Sequence, residues 1–161
     1  MSYSSKRNLI SVAVGMILIG VYGFYALGDK APAIDDLKAW AILILISIGI
    51  AIGVMVVVQI VFHVVMAISI SIKERNCDEK EVERIIEATV KEDEREKMIN
   101  LKSAHIGYSV AGFGFIAGLI TMALGSPAVV ALHILAGAFA LGSIVEGLVS
   151  VYLDERGFTN G

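Results

Sequence analysis

Long apolar runs alternate with short polar segments along this chain, and one charged block divides the runs into two pairs. The four apolar runs are residues 9–28, 39–72, 103–125 and 127–153, and the charged block is residues 76–102. A helix of about 20 apolar residues crosses the roughly 30 Å hydrocarbon core of a bilayer. We therefore predict an all-α integral membrane protein, residues 1–161, in which four transmembrane helices form one bundle of two hairpins.

The second apolar run is too long for a bilayer. As one helix, residues 39–72 would measure about 50 Å, well beyond the hydrocarbon thickness. Such a helix must tilt, bend or project from the membrane. Because the charged block follows it directly, projection into the cytosol is the simplest solution.

The charged block, residues 76–102, is predicted to be a helical connector on the cytoplasmic side. Asn76 followed by Glu79 is typical of a helix N-cap with its capping-box partner. An apolar stripe follows at helical spacing, formed by Val82, Ile85, Ile86, Thr89 and Val90. The stripe must cover something, and the choices are the membrane surface, the long second helix or a second subunit.

Gly125-Ser126-Pro127 lies where the third run ends and the fourth begins. Glycine can end one helix, serine can cap the next, and proline suits a first helical turn. We therefore expect these two helices to form a tight antiparallel pair.

Composition and charge agree with a membrane protein. The chain is 57% hydrophobic and 18% charged, with a net charge of −3 that does not favour nucleic-acid binding. Basic residues flank the first run at Lys6 and Arg7, recur in the connector and end at Arg156. Since lysine and arginine concentrate on the cytoplasmic side, we predict a multi-pass protein of the cytoplasmic membrane with both termini in the cytoplasm.

The segment that leads into the third run carries a recognisable pattern. Asp93, Glu94 and Arg95, with Ile99 four residues later, form a D-E-R-x-x-x-I sequence just before a predicted hairpin. The pattern resembles that of a family of small prokaryotic membrane proteins of unknown function, over roughly residues 91–153. The resemblance implies a bacterial or archaeal membrane protein, and it implies no activity.

Glu146 is the one acidic or basic side chain within the four apolar runs. A charge inside a bilayer is costly, so such residues commonly mark functional sites. On a helical count from the following charged residues, His63 lies at the depth of Glu146, with Gln59 one turn away. Counting from Trp40 instead places His63 near the inner interface. A Gln59–His63–Glu146 cluster is thus a hypothesis, and the alternative is an ordinary interhelical hydrogen bond.

Two classes of function follow from these features. The first is a non-catalytic, self-associating membrane module that acts through its connector on a membrane or cytoplasmic protein. The second is a small proton-coupled transporter that works as a dimer around Glu146. Small multidrug-resistance transporters are also four-helix dimers with one membrane glutamate, but theirs lies in the first helix and they lack a comparable connector. No catalytic residues, metal site or cofactor are predicted. A haem held by His63 and His105 would need both at one depth.

Overall fold

The computed structural model describes residues 3–73 and 94–156, and within these ranges the chain is helical, with no strand. We number the four helices in chain order. They are α1 (Tyr3–Ala26), α2 (Leu37–Lys73), α3 (Glu94–Ala123) and α4 (Ala128–Arg156). The apolar stripe of the connector (Val82, Ile85, Ile86, Thr89 and Val90), its predicted cap at Asn76, and Asp93 lie outside the described residues.

All four helices are long and apolar enough to cross a membrane, which confirms the prediction of an all-α chain with four such helices. Their outer surfaces carry large apolar side chains that are open to the surroundings: Phe24 is 86% exposed and Phe113 is 72% exposed. A soluble monomer rarely exposes a contiguous apolar surface of this kind. Contact with lipid accounts for it.

The helices extend beyond the apolar runs at their polar ends. α1 begins at Tyr3, and α2 is one unbroken helix of 37 residues, about 55 Å long. Asp36 caps the start of α2, where its Oδ1 accepts a hydrogen bond of 2.9 Å from the backbone N–H of Ala39.

Helix α3 begins at Glu94 and continues through residues 102 and 103, where the sequence suggested a boundary between connector and membrane span. Nothing at this point breaks a helix. Ser103 donates to the carbonyl oxygen of Ile99 over 2.8 Å, within the same helix. Glu94 and Glu96 in the first turn complement the helix dipole, and Lys97 reaches Glu94 at 3.1 Å. The last turns of the predicted connector are therefore part of the third membrane helix.

Helix α4 is the centre of the bundle. It packs most extensively against α3, next against α1, and slightly against α2. α1 has more contact with α4 than with α2, its neighbour in the chain. α2 is consequently the most peripheral of the four helices.

The turn between α3 and α4 has the form that its sequence predicts. Gly125 adopts a φ of 81°, a left-handed conformation that favours glycine. The N–H of Gly125 donates to the carbonyl of Met122 and that of Ser126 to the carbonyl of Thr121, at 3.0 and 3.1 Å. These two bonds define a Schellman motif, which ends α3 and turns the chain back along it.

Small residues allow α3 and α4 to approach closely. A Cβ added to Gly107 would lie 2.9 Å from the carbonyl oxygen of Gly142, and one added to Gly142 would lie 2.7 Å from that of Gly107. Further along, a Cβ on Gly114 would overlap the Cβ of Ala138. Close backbone approach at small residues is the usual means by which helices associate in lipid. The hydrophobic effect does not drive their association there, because lipid tails are as apolar as the helix surfaces.

Replacing Gly114 by alanine should loosen this contact. The new methyl group would overlap the short side chain of Ala138, so the helices must separate, at a cost of about 1–3 kcal/mol in the free energy of unfolding. Gly112 is the matched control, because a Cβ there meets no atom within 4 Å. Thermal denaturation of both variants in detergent should show a lower Tm for Gly114→Ala alone. Equal Tm values would contradict the packing described here.

Candidate functional site

A network of charged and polar side chains joins α1, α3 and α4 at one end of the bundle. The Ser5 hydroxyl donates to the Asp154 carboxylate. Arg95 donates to the backbone carbonyl of Asp154 over 3.0 Å and lies 3.9 Å from its carboxylate. Arg7 approaches Glu96 at 3.8 Å. The starts of α1 and α3 and the end of α4 are therefore held together by side chains of opposite charge.

A second layer of polar contacts lies deeper, between α1 and α4. The Asn8 side-chain amide donates to the hydroxyl of Ser150 over 2.7 Å. Ser150 is 4% exposed and Ser5 is fully buried. Buried polar groups are tolerated when they bond to each other, and such bonds between membrane helices contribute about 0.6–2 kcal/mol.

Two residues of α2 that the sequence singled out bind to α1. Gln59 donates to the hydroxyl of Ser11 over 2.8 Å. The Tyr3 hydroxyl lies 2.6 Å from Nδ1 of His63, which is an exposed residue. Beyond His63, α2 continues for ten residues, about 15 Å, to Lys73. The long helix therefore extends past its contact with the first residue of α1.

Glu146 lines a cleft between the four helices, with a volume of about 550 Å³. The residue is half-buried, and its Oε2 lies 3.3 Å from the position that a Cβ on Gly107 would occupy. The cleft walls are mostly apolar and include Leu18, Met55 and Ile144. Six further polar side chains complete the lining: Asn8, Ser11, Asn100, Ser103, Ser143 and Ser150.

Within the described residues, the Glu146 carboxylate forms no hydrogen bond and no ion pair, and the cleft lining includes no lysine, arginine or histidine. Leaving an acidic group ionised at the centre of a membrane helix costs about 2.5–3.5 kcal/mol on insertion scales. A cation that entered the cleft would therefore meet this carboxylate without competition from a basic side chain of the described lining.

The hypothesised Gln59–His63–Glu146 cluster does not form by direct contact. Neither Gln59 nor His63 bonds to Glu146, since both are engaged by α1. Depth explains the outcome for His63: it lies beside Tyr3 at the end of the bundle, whereas Glu146 precedes Asp154 by eight residues, about 12 Å along α4. Gln59 comes nearer, because its partner Ser11 lines the same cleft as Glu146.

The polar face of α1 was not singled out from the sequence. Ser4, Asn8, Ser11 and Gly15 recur at intervals of three or four residues, which places them on one side of a helix. That spacing is the signal that could have revealed the face. The first apolar run begins at residue 9, after two of these residues, so the spacing crosses the boundary of the run.

Three residues of the D-E-R-x-x-x-I pattern fall within α3. Arg95 is bonded to Asp154, Glu94 is paired with Lys97, and Ile99 is buried at 3% exposure. The pattern thus supplies one contact to α4 and one core residue at the base of the helix.

An aromatic cluster occupies the opposite end of the bundle. Trp40 packs edge-on against His133, with ring centroids 4.5 Å apart, and Tyr22 lies 6.2 Å from the same ring. The Tyr22 hydroxyl is buried with no hydrogen-bond partner among the residues described. In that same part of the chain, no three histidine, cysteine or acidic side chains converge as a metal site would require.

Comparisons of this chain with protein-family models, with curated proteins and with solved structures give no match. The resemblance of residues 93–99 to a family of small prokaryotic membrane proteins therefore remains a prediction.

The two acidic residues of α4 should differ in what they contribute to stability. Asp154→Asn removes the charge that pairs with Ser5 and Arg95, and should lower the free energy of unfolding by about 1 kcal/mol, a value limited by the solvent around Arg95. Glu146→Gln, which removes a carboxylate that has no partner among the described residues, should leave stability unchanged or raise it. Parallel denaturation in one detergent tests this, and an equal loss in both variants would refute it.

Proposed function

We propose that the chain is a multi-pass protein of a prokaryotic cytoplasmic membrane, folded as two hairpins, α1–α2 and α3–α4, with both termini and the connector in the cytoplasm. The charge distribution supports this orientation. Arg7, Arg95 and Arg156 lie at helix ends on one side of the bundle, together with Asp154 and Glu96. At the other ends of the helices the basic residues are only Lys30, between α1 and α2, and Lys38, in the first turn of α2.

Within that membrane, the protein acts as a non-catalytic accessory module whose connector binds a membrane or cytoplasmic protein. The observation that carries this proposal is the attachment of the base of α3, which forms the last turns of the predicted connector, to two other helices. Arg95 binds Asp154 of α4, and Glu96 lies beside Arg7 of α1. A partner that displaces the connector would therefore act on the core of the bundle through α3.

Self-association is part of the same proposal, with a homodimer as the simplest assembly. Gly49 and Gly53 lie one turn apart on α2, and a Cβ at either position would meet no atom within 4 Å. This spacing of small residues suits close helix packing. Because α2 is also the most peripheral helix, it is the natural surface for a second copy of the chain.

The connector stripe should carry partner binding. Val82→Asp with Ile86→Asp places two charges on the apolar stripe and should abolish capture of interaction partners by the tagged full-length protein in membranes. Lys80→Gln with Arg84→Gln changes the net charge equally on the opposite face of the predicted helix. This control should retain the partners. If deletion of residues 78–90 leaves the oligomer and all partners unchanged, the module proposal fails.

A proton-coupled transporter is the second candidate, and Glu146 is the observation that favours it. A carboxylate without a described partner, set in a cleft at the junction of four helices, can bind a proton and a cationic substrate in turn. Coupled exchange of this kind needs one group for which the two compete.

Transport would depend on that carboxylate. In proteoliposomes, Glu146→Gln should abolish any cation uptake driven by a proton gradient, because the amide neither ionises nor binds a cation strongly. Glu155→Gln makes the same chemical change at an exposed position of α4 and should transport like the parent. Uptake that is identical in the parent and both variants would exclude the transporter.

A further inference from the structure

The cleft around Glu146 has the dimensions and lining of a small-molecule site. Its volume of about 550 Å³ lies within the range of roughly 300–1,000 Å³ that is usual for ligand pockets. Apolar side chains form most of its walls, and one carboxylate and several hydroxyls converge on it. The cleft exists because of how the helices are arranged: α2 packs against α1 and makes little contact with α3 and α4.

The polar side chains of the cleft are four hydroxyls, the Glu146 carboxylate and the amides of Asn8 and Asn100, and the Asn8 amide already donates to Ser150. The hydroxyls of Ser11, Ser103 and Ser143 each donate to a backbone carbonyl one turn earlier in their own helix. Each hydroxyl therefore presents oxygen lone pairs, since its single proton is already engaged. Gln59 already uses one of these acceptors on Ser11.

The charge of the cleft points the same way. Glu146 brings a negative charge, and no basic side chain among the described lining residues offsets it. A ligand that fits must therefore supply positive charge and hydrogen-bond donors at one end, and an apolar body for the rest of the space. A protonated amine has this combination: its ammonium group donates three hydrogen bonds and accepts none, as lysine does.

We propose that the cleft binds a protonated primary amine with an apolar body. The ammonium group lies against the Glu146 carboxylate, with Ser103 and Ser143 as neighbouring acceptors, and the apolar body lies against Leu18, Met55 and Ile144. The proposal deepens the transporter candidate by naming its substrate class, and it relies on the same carboxylate.

Binding can be measured by calorimetry on the full chain in nanodiscs of zwitterionic lipid, with 1-naphthylmethylamine as the probe. 1-Naphthylmethanol has the same apolar body without the charge. We expect saturable binding of the amine, at least tenfold weaker binding of the alcohol, and at least a tenfold loss of amine affinity in Glu146→Gln. Glu155→Gln should bind the amine like the parent.

A second variant guards against misfolding of Glu146→Gln. Ala51→Phe fills the cleft from α2 and leaves the carboxylate in place, and it should reduce amine binding at least tenfold while the protein still elutes as the parent does. Equal affinity for amine and alcohol, amine binding that survives Glu146→Gln, or the absence of saturable binding would each overturn the proposal.

The outcome is separable from that of transport. Saturable, Glu146-dependent amine binding without proton-coupled uptake would uphold the ligand assignment and retire the transporter. Glu146-dependent uptake of an inorganic cation, with no amine binding, would uphold the transporter and overturn the ligand assignment.

Discussion

Close contact between α3 and α4 is the constraint on which the rest of the bundle depends. Lipid tails are as apolar as leucine side chains, so exclusion from solvent does not hold membrane helices together and intimate packing has to do so. Gly107 and Gly142 provide that packing, because each presents its bare backbone to the carbonyl of the other. With α3 fixed, the opposite sides of α4 are free to receive α1 and, more loosely, α2.

The polar contacts at one end of the bundle fix the relative positions of helices that the glycines allow to approach closely. Packing of small residues sets the distance between two helices. It does not fix how far one helix is shifted along the other, because many such axial positions differ little in energy. The bonds from Ser5 and Arg95 to Asp154, and from Asn8 to Ser150, specify one of them. Their position at the membrane boundary lowers the cost of the charges, since water and headgroups remain within reach.

The four membrane-length helices could be predicted from the sequence, because an apolar run of about twenty residues is long enough to cross a bilayer as a helix. The turn at Gly125 could be predicted as well, since glycine is the residue that most readily adopts its left-handed backbone conformation. The partners of each helix could not. Apolar periodicity does not distinguish a face that meets lipid from one that meets another helix, which is why the position of α4 at the centre emerged only in three dimensions.

The candidate site shows the same limit. Glu146 stands out in the sequence because a charge in an apolar run is conspicuous. The serines around it do not stand out, because serine is common in membrane helices. The partner proposed for it, His63, depended on a depth count along a helix longer than the bilayer. The contact of His63 with Tyr3 fixes that count from the structure.

Glu146 also lies beside the close approach of Gly107 and Gly142. The Glu146 Cβ lies 3.0 Å from the position that a Cβ on Gly107 would occupy, one turn beyond the point where the two backbones cross. Because Gly107 has no side chain, the Glu146 carboxylate can lie against the backbone of α3, and a side chain at position 107 would displace it. Whatever binds the carboxylate therefore lies against the backbone of α3, the helix into which the charged connector continues.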